Sequence, residues 1–199
     1  MTASSAPGAL ELVREFVNTL DVEDGVDQLA DPASLAAWLR ARGLTRARSA
    51  TSADLAQARR AREALRTLLL ANNGLSAQKE AEATLDRAAR RAGLGVRFRG
   101  RGGRLEAAAG GVDGAVGRLL AVVAAAMLDG SWSRLKACRA EDCRWAFYDY
   151  ARNRSRTWCS MAVCGNRAKA RAYRSRRRRS PSSTPQRSNA PRLTSSAPR

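Results

Sequence analysis

Four cysteines, Cys138, Cys143, Cys159 and Cys164, are the residues of this 199-residue chain whose type and spacing best suit chemistry. They follow C-x4-C, fifteen residues, then C-x4-C, so two local loops could each present two sulfurs to one tetrahedral ion. Four thiolates leave no open ligand position, which makes the expected cofactor a structural Zn2+ rather than a catalytic one. Two disulfides, unliganded thiols and an iron–sulfur cluster are the competing uses, and the spacing matches no ferredoxin pattern. The chain has no His. That removes Ser-His-Asp and Cys-His nucleophiles, His proton shuttles and His metal ligands. With no phosphate-binding glycine loop either, no enzymatic activity is expected.

Elements must position those sulfurs. Trp145, Phe147 and Asp149 alternate with Ala146, Tyr148 and Tyr150, a period-two pattern that predicts a strand. Residues 151–155 supply a turn, and Arg156-Thr157-Trp158 is expected to return as the second strand of the hairpin. Trp145 and Trp158, each beside a cysteine, read as shielding for the metal. Asp149 and Asn153 read as turn caps, with Asp149 also pairing with Arg156. After Cys164, Gly165 is expected to turn the backbone sharply into a helix from Asn166 to about Arg178. On it Arg167, Arg171, Arg174 and Arg178 form one stripe, flanked by Lys169. Guanidinium groups pair bidentately with guanine or phosphate, so these five residues are the candidate DNA contacts.

Charge points the same way. Lys and Arg number 36 against 18 Asp and Glu, a net +18 with a pI near 11.4. Residues 1–130 carry 18 basic and 15 acidic residues, net +3, while residues 131–199 carry 18 against 3, net +15. A polyanionic partner is implied, nucleic acid first and an anionic membrane second. Arg outnumbers Lys 33 to 3, which fits a high-GC bacterial genome. The start lacks a basic region followed by a long apolar one, and the longest apolar stretch is the ten residues 119–128. A cytoplasmic protein with reduced thiols and no membrane association is therefore expected.

The first 130 residues read as helical. Leu10, Val13, Val17 and Leu20 share a helix face over 9–20, and Asp31-Pro32 opens a second helix that Gly43 closes. Thr51 with Asp54 opens a third, stopped at Asn72-Asn73-Gly74, and a fourth spans about 76–92. Residues 96–107 read as a hairpin turning at residues 101–104, and a last helix covers about 112–128. The fold class is mainly α with a small β-hairpin: a helical domain over 1–130, a small zinc finger of β-hairpin and basic helix over 131–179, and a disordered Ser/Pro/Arg-rich tail over 180–199. Asn18, Arg62 and Arg66 are candidates for a polar pocket taking a small anionic ligand, although capping and surface solvation are the plainer roles for such residues.

Residues 134–178 closely resemble the CGNR-type zinc finger, named for Cys164-Gly165-Asn166-Arg167. The resemblance rests on both cysteine pairs, Trp145-x-Phe147-x-Asp149, the run Arg156 to Met161, and Lys169-x-Arg171-x-Tyr173. Phe16-Val17-Asn18-Thr19 and Asp31-Pro32…Trp38-Leu39 are similar to the ABATE domain that usually precedes this finger, a domain described as a stress-induced transcription regulator. The resemblance implies a bacterial regulator whose finger binds DNA. The partners expected are DNA, a small anion on the N-terminal domain, and a second copy in a homodimer. An RNA-binding protein and a redox-sensitive zinc adaptor between proteins are the alternatives.

Overall fold

A computed structural model describes residues 5–76 and 78–179. Helix α1, Leu10–Val17, buries Leu10, Val13, Phe16 and Val17 and stops at Asn18, so Leu20 leaves the expected helix face and enters a two-residue strand. That strand, β1 (Leu20–Asp21), pairs antiparallel with β2 (Val26–Asp27). Helix α2, Pro32–Ala41, begins as its sequence predicts: Asp31 accepts a hydrogen bond from the Ser34 N–H at 2.7 Å, and Pro32 opens the first turn. Helix α3, Ser52–Asn72, has a reciprocal Thr51/Asp54 capping box, and α4 spans Lys79–Arg91.

Strands β3 (Leu94–Arg99) and β4 (Gly102–Ala107) form the expected hairpin, but its turn is Gly100-Arg101. Gly100 has φ +58°, the left-handed conformation that a tight turn needs, so Gly102 and Gly103 are strand residues instead. Helix α5, Gly111–Leu128, passes so near the hairpin that a Cβ at Gly117 would lie 2.7 Å from the Ala107 side chain. It is the one described helix long and apolar enough to cross a membrane, and it is also a central helix of the core, with Ala115, Val116, Leu119 and Leu120 buried there.

The chain breaks direction at Gly130, yet packing does not stop there. A single 3-10 turn, Ser131–Arg134, leads into β5 (Leu135–Ala137), which pairs antiparallel with β6 (Ala146–Tyr148). Trp132, Leu135, Ala137, Ala146 and Tyr148 join the same hydrophobic cluster as Phe16, Leu65 and Leu119. The alternation read from 145–150 is real, but the partner strand precedes Cys138 and residues 156–158 form no strand. The physical reason is burial on both faces. Ala146 and Tyr148 face the helical core, while Phe147 faces the sulfurs, so the strand must lie between the two. Helix α6, Asn166–Arg179, follows a π-helical turn at Met161–Gly165. The side chain of Arg178 and the expected tail, 180–199, lie outside the described residues.

Candidate metal centre

Each cysteine pair is shaped by its own loop. Cys138 directly follows β5 and donates its N–H to the Trp145 carbonyl at 2.9 Å, while the Cys143 and Arg144 N–H groups both turn back onto the Ala140 carbonyl at 3.0 Å. Arg144, at φ +55°, takes the left-handed conformation that lets the chain reverse into β6. The second pair is closed differently. Ser160 caps the turn by accepting from the Val163 N–H, and the Gly165 N–H reaches back five residues to the Ser160 carbonyl at 3.1 Å. That wider π-type turn accommodates four residues between two ligands.

All four Sγ atoms lie within 4.8 Å of one another, with Cys143–Cys159 at 3.5 Å and Cys159–Cys164 at 3.7 Å. Sulfurs ~2.3 Å from a tetrahedral zinc stand about 3.8 Å apart. The donor set and its spacing therefore fit Zn2+ with four thiolate ligands. The sulfurs are also prepared for a cation. Hydrogen bonds from the Cys143 and Cys159 thiols hold Cys138 down at about 2, and sharing with Cys138 pushes Cys143 up to about 12 and Cys159 also upward. A sulfur that accepts from two neighbouring thiols is favoured as a thiolate, and a bound cation drives protons off its neighbours.

Around the sulfurs, Ala140 and Phe147 are buried, and Trp145, Trp158 and Val163 pack against them, so both tryptophans stand where the sequence suggests. The Arg156 guanidinium lies 5.1 Å from the Phe147 ring centroid, and its Nε donates to the Trp158 carbonyl at 2.9 Å. Gly165 has a different job from the one expected. Its φ is not positive; a side chain there would collide with Met161 and come within 3.3 Å of the Trp158 ring. Glycine here makes room for the Met161 and Trp158 side chains and supplies no left-handed turn.

Asp149 is fully buried and pairs with Lys136 Nζ at 2.7 Å, a partner that sequence reading missed. Arg156 contributes only its backbone N–H, at 3.0 Å, so the expected Asp149–Arg156 ion pair is replaced. Burial pushes the Asp149 carboxyl up, and the Lys136 ammonium with the Ala151 and Arg156 N–H groups more than reverses this, leaving it below the usual carboxylate range. Lys136 also donates to the Arg154 carbonyl at 2.5 Å and the Arg156 carbonyl at 3.3 Å. One buried cation thereby ties the loop that leads to Cys159. Asn153 does cap its turn, accepting from Ser155.

The candidate anion pocket takes another form. Asn18, Arg62 and Arg66 are 5%, 3% and 4% exposed, and all spend their hydrogen bonds inside the protein. Arg62 grips Asp27 bidentately at 2.7 and 3.1 Å. Arg66 donates to the Val17 carbonyl at 2.7 Å and, across to the finger, to the Arg144 carbonyl at 2.9 Å. Asn18 accepts from the Ala146 N–H at 2.7 Å and donates to its carbonyl at 2.9 Å. None of the three lines a cavity described for the molecule. With their donors consumed, Arg62 holds the β1–β2 ribbon to α3, while Asn18 and Arg66 dock the cysteine module to the helical body. Asn73 joins them, donating to the Ala137 and Thr157 carbonyls, both at 2.8 Å.

The candidate DNA contacts divide into two sets. Arg167 holds Glu23 at 2.6 and 3.1 Å and donates to Cys164 Sγ at 3.3 Å, and Arg171 reaches Asp142 at 3.4 Å. Lys169 and Arg174 are exposed and have no carboxylate partner among the described residues, and Arg176 and Arg177 share that condition.

Residues 10–130 match the ABATE family, described as "Putative stress-induced transcription regulator", and residues 134–177 match the CGNR zinc finger. Both family types are regulators or zinc fingers rather than enzymes. No curated protein matches the chain.

Proposed function

The chain belongs to the ABATE family and carries a CGNR zinc finger, and on that premise we propose that it is a bacterial transcription regulator that grips duplex DNA with α6. The observation that carries this reading is the helix itself. Eight of its fourteen residues are Lys or Arg and none is acidic. Every residue from Lys169 to Arg177 is exposed. A helix charged all round has no apolar face to bury in its own protein, so its complement is an external polyanion. Arg167 and Arg171 are engaged with carboxylates, so Lys169, Arg174, Arg176 and Arg177 supply the phosphate contacts. Zinc fixes the helix at its root and takes no part in recognition. A small-anion effector is not carried into this reading, because Asn18, Arg62 and Arg66 are otherwise engaged.

Equilibrium binding to a duplex across a salt series tests it. Four phosphate contacts give a slope of log K against log[salt] of about −4, and Lys169→Ala with Arg176→Ala lowers it by about 2. A slope near zero refutes the proposal. Displacement of the duplex by structured RNA at equal phosphate would instead favour RNA as the partner, a role that the 57% exposed Tyr173 ring also suits.

A further inference from the structure

The first arginine of the basic helix is separated from the others by what it touches. We propose that Arg167 is a positioning residue that joins the metal centre to the helical body through Glu23, and that Glu23 thereby sets how α6 leaves the protein. This inference holds whichever polyanion α6 binds.

Three contacts converge on one guanidinium. Its Nη1 and Nη2 hold the two Glu23 oxygens at 2.6 and 3.1 Å, a fork-to-carboxylate arrangement. Nη2 also donates to Cys164 Sγ at 3.3 Å, and Asp142, in the first cysteine loop, lies 3.7 Å from Nη1. The remaining donor, Nε, is buried without a partner. A guanidinium that tolerates an orphaned N–H for the sake of these contacts is held by them. An N–H donor on a metal-bound thiolate orients the ligand and withdraws charge from sulfur.

Glu23 is not a free surface acid. It sits in the turn between β1 and β2, where the Asp21 carboxylate accepts from the Glu23 N–H at 3.0 Å and from the Asp24 N–H at 3.2 Å. The far side of that ribbon is anchored by the Arg62 grip on Asp27, and Arg62 belongs to the buried face of α3. A connected set of contacts therefore runs from α3 through the ribbon and Glu23 to Arg167 and a zinc ligand. It assigns a purpose to a two-residue ribbon that adds nothing to the core.

Hydrogen exchange of the zinc-loaded full chain tests this without DNA. Glu23→Ala is expected to speed exchange of the amides in the first turns of α6, residues 166–171, by about two- to fivefold. Asp24→Ala, which removes the same charge one residue away, leaves them at the wild-type rate. In 1 M salt the wild-type rate rises to that of Glu23→Ala, because the bridge is partly exposed and screened. Equal exchange in wild type and Glu23→Ala overturns the proposal, as does an equal effect of Asp24→Ala. A second readout concerns the sulfur. In the cobalt(II)-loaded protein, Arg167→Ala moves the sulfur-to-metal absorption to longer wavelength, since a thiolate stripped of an N–H donor gives up charge more readily, and Arg167→Lys restores part of the shift. An unmoved band overturns the Arg167–Cys164 contact.

Discussion

Removing the Asn18 amide tests whether the cysteine module and the helical body are one folding unit. Asn18 lies at the end of α1, and its side chain imitates a neighbouring strand, satisfying both backbone groups of Ala146 on the edge of β6 that β5 does not use. Asn18→Ala strands a buried N–H and a buried C=O, and leaving such a group unsatisfied costs about 1–3 kcal/mol each. The expected loss is about 2–6 kcal/mol, a large part of the ~5–15 kcal/mol that holds a domain of ordinary stability. With a urea dependence of about 2 kcal/mol per M, the unfolding midpoint of the zinc-loaded protein falls by about 1–3 M. Asn18→Asp keeps the acceptor for the Ala146 N–H but sets an oxygen against the Ala146 carbonyl, so it costs at least as much. The alternative, in which Asn18 serves a ligand pocket, predicts ligand-free stability unchanged in both variants. A loss under about 0.5 kcal/mol would refute the docking role.

Two further outcomes follow from the same packing. Burial pushes the Asp27 carboxyl up, but the Arg62 fork and the Leu29 N–H hold it below its ordinary value. A carboxylate with a lowered folded-state pKa stabilises above about pH 4 and ceases to do so as pH falls through the folded value. Asp27→Asn, which leaves the Arg62 charge buried, should cost about 2–4 kcal/mol at pH 7, with the deficit narrowing below pH 4 in urea titrations; a pH-independent deficit would count against the pair. Zinc removal is the second outcome. Because β5 and β6 share their core with α3 and α5, chelation should lower one cooperative calorimetric transition, not abolish a separate minor one. Reloading zinc should release at least about two protons, from Cys143 and Cys159, measurable in weakly buffered solution.

Local devices were legible in the residues, and long-range uses of polar side chains were not. The Asp31-Pro32 and Thr51-x-x-Asp54 caps announce themselves because donor and acceptor sit three residues apart. The cysteine pairs do so because chelation demands short loops. Asn18 and Ala146, by contrast, are 128 residues apart, and a backbone N–H or carbonyl has no residue type that would mark it as a partner. The same holds for Asn73 with Thr157 and for Arg66 with Arg144. Three polar residues on the sequence therefore resembled a pocket when two of them, Asn18 and Arg66, stitch two parts of one core and the third, Arg62, holds the β1–β2 ribbon to α3. Lys136 was missed for a related reason: only the β5–β6 register, Lys136 opposite Phe147, brings it to Asp149.

The division within α6 has a physical logic. The N-terminal end of a helix carries a partial positive charge, so arginines near it are unfavourably placed unless acids answer them. Glu23 and Asp142 stand there, against Arg167 and Arg171, and zinc has already fixed the turn from which the helix grows. Farther along, Arg174, Arg176 and Arg177 have no such counter-charges among the described residues, and like charges at i, i+3, such as Arg171 with Arg174 and Arg174 with Arg177, offer only repulsion. A polyanion laid against these turns would remove that repulsion and stiffen a helix whose costly nucleation step is complete. Binding and helix order are then one equilibrium, and the root of the helix, held by sulfur, metal and Glu23, is the part that does not have to be reorganised.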